Sequence, residues 1–242
     1  YQRLLTTTGQ VVSQAERISE SVKDLKQRPR RARRLQQELD RMIGLVRQVM
    51  RQTKVRIFGD NTHFTDKVVS MFEPQTEVIR KGKASKPTEF GKMVKIQEAE
   101  NQIITSYEVY RERPNDSDLL VKAVEEHIER LGQVPELVAA DAAFYSLANE
   151  AEVKTMGVQR VAIPNRSAKS PERRMLQRSR WFKKGQKWRT GCEGRISVLK
   201  RRHGLNRCRY RGDDGMDGWV GFGVIADNLI NMVRVLVAQE AK

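Results

Sequence analysis

Two acids draw attention through their surroundings. Glu193 sits in RTGCEGRISVLKRRHG, residues 189–204, as the sole acid among Lys and Arg side chains. On a helix, Arg189, Glu193 and Lys200 fall on one face, because offsets of four and eleven residues nearly complete whole turns. One reading of that face is an i to i+4 Arg–Glu pair on a solvated helix. The other is a carboxylate doing chemistry beside an anionic partner held by the neighbouring cations. Asp141 closes PELVAAD, at the end of a run of small and branched apolar residues. A carboxylate there costs desolvation energy unless it is paired, hydrogen-bonded or metal-bound, and in open α/β sheets that strand end is where sites form. The plainer role for Asp141 is to cap the helix LANEAE.

The elements that must carry these residues follow from periodicity. Residues 1–54 read as helical, with Leu35, Leu39, Met42, Ile43, Val46 and Val49 at three- and four-residue spacings, and Pro29 divides them into a hairpin-like pair with a basic bend. After Ile57, the runs KVVSMFEPQTEVI, FGKMVKIQEA and QIITSYEVY predict adjacent antiparallel strands. A helix capped by Asp or Ser then ends at Gly132. The buried strand before Asp141, a helix closed by Gly157 and the strand VQRVAIP follow. This order predicts an α/β fold, a mixed sheet flanked by helices over residues 55–242, preceded by an N-terminal helical segment, 1–54. On the helix of Glu193, Cys192, Ile196 and Leu199 are expected to pack on the sheet. WVGFGVIADNLINMVRVLV reads as a packed C-terminal helix.

The chain of 242 residues carries a net charge of +16 with 38% hydrophobic residues, a globular composition with a strong cationic excess. Between Arg166 and Arg211 there are 17 Lys or Arg against two acids, Glu172 and Glu193. Such a segment favours a polyanion, with nucleic acid ahead of an anionic membrane. No stretch reads as the roughly 20 apolar residues of a spanning helix and no leader opens the chain, so a soluble protein of the cytoplasm or nucleoid is expected. Two cysteines, Cys192 and Cys208, exclude a disulfide framework and read as buried or free thiols. Trp181 and Trp188 read as core residues ahead of base-stacking ones.

The spacing R-x3-E-x6-K at Arg189, Glu193 and Lys200 resembles the Y-x2-R-x3-E-x6-K signature of bacterial insertion-sequence transposases of the DDE class. KGKASKPTEFGKMVKI, the VAAD strand end and GRISVLKRRHGLNRCRYRG followed by WVGFGVIADNL are similar to the catalytic domain of such enzymes. The resemblance implies a ribonuclease H-like fold with three carboxylates on two divalent cations, usually Mg²⁺, for which Mn²⁺ substitutes. It places the second and third acids at Asp141 and Glu193. It also implies that Arg189 and Lys200, with Lys187, Arg195, Arg201 and Arg202, hold DNA phosphates, and that the protein acts as a homodimer on paired transposon ends. Three departures stand against it. The signature Tyr falls on Gln186; Asp141-Ala142-Ala143-Phe144 stands where the family reads Asp-Arg-Gly-Phe; and no Asp-Thr-Thr-Val strand supplies the first acid. Asp60, Glu73 and Glu77 are candidate substitutes, none of which matches the motif. The expectation is a chain that starts within the family's helical insertion, without the first acid or the terminal-repeat-binding domain. The competing expectations are a non-catalytic, basic DNA-binding remnant and a ribonuclease H-like nuclease outside transposition.

Overall fold

Two long helices open the chain, α1 (Gln2–Lys23) and α2 (Arg30–Phe58), with Pro29 at the N-cap of the second, where its missing N–H is expendable. Leu5, Val12 and Ser19, one helical face at seven-residue steps, are the buried residues of α1. Ion pairs Glu16–Arg47 (2.5 Å) and Lys23–Asp40 (3.5 Å) link the helices in antiparallel order, the hairpin that Pro29 announces. The computed structural model describes residues 1–25, 27, 29–80 and 88–240. They divide into two units, Tyr1–Gly91 and Lys92–Lys242.

The first expected strand is not one. Residues 67–76 form bends, and only β1 (Glu77–Arg80) is extended, pairing antiparallel with β2 (Thr88–Gly91). The side-chain amide of Gln52 on α2 accounts for this. It donates to the Val68 carbonyl (2.8 Å) and accepts from the Val68 N–H (3.0 Å), satisfying the backbone groups that a ladder would otherwise use. KGKASKP, residues 81–87, lies outside the described residues.

In the second unit β3 (Val94–Glu98) pairs antiparallel with β4 (Ile104–Val109). After α3 (Leu119–Leu131) come β5 (Leu137–Ala139), α4 (Leu147–Thr155) and β6 (Arg160–Ala162), which is parallel to β5. Helices α5 (Pro171–Arg178), α6 (Arg180–Arg202) and α7 (Gly212–Glu240) complete the chain. The α/β order is as expected, but the single mixed sheet is not: the described strands form three separate two-stranded sheets. The edge groups of Ile104 on β4 are taken by Asn228 of α7, which accepts from its N–H and donates to its carbonyl, both at 2.8 Å. An amide from a helix thus stands where another strand would dock.

Two cores result. Val161 and Ile163, in and just after β6, pack with Leu120 and Val124 of α3, Val153 of α4 and Val158. Ile104 of β4 packs with Leu199 of α6 and with Val220 and Val224 of α7. Helix α3 is tied to β3–β4 by Lys95, buried, which donates to Glu108 and Glu126 at 2.9 Å each. Gly132 (φ 67°) stops α3 in the left-handed region as predicted. Helix α6 spans both cores. Its N-terminal half lies on β5–β6, with Gly185 against Ala162 and Leu137, while Leu199 enters the other core. Leu199 packs as expected and Cys192 is half-buried, but Ile196 is 38% exposed.

Helix α7 departs from the expectation that no stretch is long and apolar enough to span a membrane. By length and composition it is apolar enough to cross a membrane, with a mean hydropathy of 1.6 over 18 residues. One face, Val220, Val224, Asp227 and Asn231, is core, whereas Phe222, Ile225, Leu229, Met232 and Leu236 are exposed.

Candidate active site

Asp141 leaves the end of β5 and caps a single 3-10 turn, Ala142–Phe144, its carboxylate accepting from the Ala142 N–H at 2.6 Å. It does not cap α4. Ser146 does, accepting from the Asn149 N–H at 3.0 Å, so the Asp141 carboxylate remains available at the strand end. Its position is fixed from below by α6. The Gln186 amide donates to the Ala140 carbonyl (3.1 Å) and to the Ala162 carbonyl, stitching the ends of β5 and β6 to the helix. Gln186 was notable in the sequence only as a departure from the signature; nothing in its spacing marked it as a positioning residue.

From Gln186 the helix runs two turns to Glu193, and Arg189 lies between. Arg189 Nη1 is 3.1 Å from Glu193 Oε1 and 3.8 Å from Asp141 Oδ2. Both distances share one nitrogen, so their sum bounds the separation of the two carboxylate oxygens at about 6.9 Å. The Arg189 side chain is 23% exposed, against 49% for Asp141 and 61% for Glu193, so the cation is the least exposed of the three. Arg166 Nη2 lies 4.0 Å from the other carboxylate oxygen of Asp141, Oδ1. Asp141, Tyr145, Asn165, Arg166 and Ser167 line a cavity of about 410 Å³. Tyr145 is held by Arg173, whose guanidinium lies 4.7 Å over the ring and which donates to Glu150 (2.6 Å) and the Ile163 carbonyl (2.7 Å).

The expected DNA contacts divide. Lys187, Lys200, Arg201 and Arg202 are exposed on α6. Arg195 is not a surface cation: its side chain is 7% exposed and ion-pairs with Glu98 (3.5 Å) and Asp227 (3.3 Å). It shares the inward stripe of Cys192 and Leu199, at three- and four-residue spacing, which the sequence offered as a signal of burial. Burial raises the Glu98 carboxyl above its ordinary range against the pull of Arg195. Burial likewise pushes the Cys192 thiol up to about 11, with Glu98 adding to it, which removes it as a nucleophile at neutral pH. Trp181 packs edge-on against Phe182 with ring centroids 5.6 Å apart, and Trp188 is half-buried.

Asp60, Glu73 and Glu77 belong to the first unit, whereas Asp141 and Glu193 belong to the second. Asp60 is exposed in the left-handed region (φ 46°), Glu73 accepts from the Gln75 amide at 2.7 Å and Glu77 opens β1. Among the described residues no group of three His, Cys, Asp or Glu side chains is placed to hold a metal. In donor chemistry the Asp141–Glu193 pair fits a hard divalent cation, since two carboxylates converge on one positive centre. That centre is a guanidinium, and two acids supply only part of a ligand set.

Residues 149–233 match the family model described as the transposase DDE domain. The matched span holds Arg189, Glu193 and Lys200 and ends inside α7; Asp141 lies just before it. No curated protein and no solved structure matches the chain. The match makes residues 149–233, about a third of the chain, similar to the transposase DDE domain.

Proposed function

We propose that the chain is the catalytic part of an insertion-sequence transposase on a ribonuclease H-like plan, in which Asp141 and Glu193 are two of the metal-binding acids. The supporting observation is the convergence of these carboxylates, 52 positions apart, on Arg189 beside a helix face bearing Lys187, Lys200, Arg201 and Arg202. Asp141 and Glu193 would hold Mg²⁺, or Mn²⁺ in its place, and when bound the ion would supply activation of the attacking water or 3′-hydroxyl and stabilisation of the leaving oxygen of a phosphoryl displacement. The chain's own residues bind and orient. Asp141 and Glu193 offer hard oxygen ligands, Gln186 fixes the strand end beneath Asp141, and the exposed cations of α6 neutralise duplex phosphates without reading sequence. The partners are transposon-end and target DNA in the bacterial cytoplasm, engaged by a homodimer.

A second reading, a DNA-binding remnant without chemistry, is favoured by the guanidinium seated between the two acids and by the lack of a grouped third acid among the described residues. Nicking of a supercoiled plasmid with Mn²⁺ separates the two. The transposase reading expects nicking that Asp141→Asn and Glu193→Gln abolish. Nicking that persists in both variants contradicts the site, and salt-sensitive DNA binding with no nicking, indifferent to Glu193→Gln, establishes the remnant.

A further inference from the structure

Arg173 and Arg189, both in the second unit, hold carboxylates in different ways. Arg173 is a fixed strut: each terminal nitrogen has its own acceptor, Glu150 and the Ile163 carbonyl, and the guanidinium stacks over Tyr145. Arg189 divides a single nitrogen, Nη1, between Glu193 at 3.1 Å and Asp141 at 3.8 Å. That is not the paired fork by which arginine makes its most specific carboxylate contacts. It is one cationic nitrogen within ion-pair distance of two anions.

We propose that Arg189 is an internal stand-in for the divalent cation: it holds Asp141 and Glu193 together while metal is absent and competes with metal for the same two carboxylates. This rests on the reading of the pair as a metal site given above. Three observations lead to it. Magnesium-sized ions sit about 2.1 Å from each carboxylate oxygen, so an ion bridging both acids needs their oxygens within about 4.2 Å of one another and takes over the bridging contact that Nη1 now makes. The acids are more exposed than the arginine, so an ion from solvent reaches their oxygens more readily than it reaches the guanidinium. With Arg166 at 4.0 Å from Asp141, the two acids already face two cations, and a divalent ion added without displacing either would bring the cluster to a net double positive charge. Metal loading therefore frees the Arg189 guanidinium, on a helix face already carrying Lys200, to take a phosphate. The site would thereby be held in register without metal and become cationic toward DNA only when loaded.

The test is Mn²⁺ binding to the full chain, followed by the electron paramagnetic resonance signal of the free ion. The variants are Arg189→Gln, Arg189→Lys, Asp141→Asn and Glu193→Gln, with circular dichroism melts to establish that each is folded. Arg189→Gln is expected to bind Mn²⁺ roughly tenfold more tightly than the unsubstituted chain, because a unit charge about 4 Å from the ion has been removed. Arg189→Lys, which keeps the charge, is expected to bind as the unsubstituted chain does, and the two acid variants are expected to lose the site. Unchanged or weaker binding by folded Arg189→Gln, with the site still lost in the acid variants, overturns the stand-in role alone. Mn²⁺ binding that ignores both acid substitutions overturns the reading of the pair as a metal site, and the stand-in role with it.

Discussion

The seating of α6 on β5–β6 positions Asp141 relative to Glu193, and Gly185 tests it with opposing terms of known size. A Cβ built at Gly185 meets the Ala162 Cβ at 2.9 Å and a Leu137 methyl at 3.4 Å, and the Ala162 atom is fixed to a strand. Replacing glycine by alanine within a helix gains about 0.8–1.0 kcal/mol of propensity, whereas overpacking a close-packed contact costs about 1–3 kcal/mol. The steric cost wins, and Gly185→Ala should destabilise by about 1 kcal/mol net. Gly191, on the same helix, has nothing within 4 Å of its added Cβ, so Gly191→Ala keeps the gain and stabilises by up to about 1 kcal/mol. For a chain of this size each kcal/mol moves the melting temperature by roughly 2–4 °C. Circular dichroism melts should therefore place Gly185→Ala below the parent and Gly191→Ala above it, separated by about 4–8 °C. Equal stabilisation by both would refute the close seating of α6 on the strands.

Four further outcomes concern other side chains of the second unit. Arg195→Met leaves Glu98 buried without its guanidinium, while Asp227 keeps Asn231 and His203, and should cost about 3–5 kcal/mol in urea unfolding, whereas Lys200→Ala and Arg201→Ala should leave stability unchanged and each lower the salt slope of duplex binding by about 0.9. Glu108 is pushed up by burial but pulled further down by hydrogen bonds from Lys95, Tyr110 and Lys122, which hold it at about 2 against an ordinary 4.5. With the folded value depressed, its contribution is fully present above about pH 4.5 and is lost as pH falls toward 2. Urea midpoints between pH 6 and pH 3 should fall more steeply for the parent than for Glu108→Gln. Cys192, its thiol raised by burial, should resist alkylation at pH 8 in the folded chain and react at once in urea, as followed by mass spectrometry.

What the sequence made legible was whatever local spacing decides. The helix ending at Gly132, the Pro29 hairpin and the β5–α4–β6 order follow from apolar period and from residues that break or cap it. So does the Arg189–Glu193 pair, which is four residues of one helix. What stayed hidden depends on side chains from distant elements. The amides of Gln52 and Asn228 occupy the backbone groups of Val68 and Ile104, so β-prone runs do not merge into one sheet, and no local pattern marks an amide for that task. Arg195 looked like one more cation in a basic segment until Glu98 and Asp227, both remote in sequence, met it inside the fold. Gln186 was visible only as a mismatch, because its partners are two carbonyls and a carbonyl leaves no trace in residue identity.

The central claim is that Asp141 and Glu193 face one cation. It is tested most directly by loading the chain with Fe²⁺ in place of Mg²⁺ and mapping where ascorbate-driven hydroxyl radicals cut the backbone. Cuts are expected next to both Asp141 and Glu193, competed away by excess Mg²⁺ and absent in Glu193→Gln. Cuts confined to one of the two, or cuts at both that survive Glu193→Gln, would contradict it.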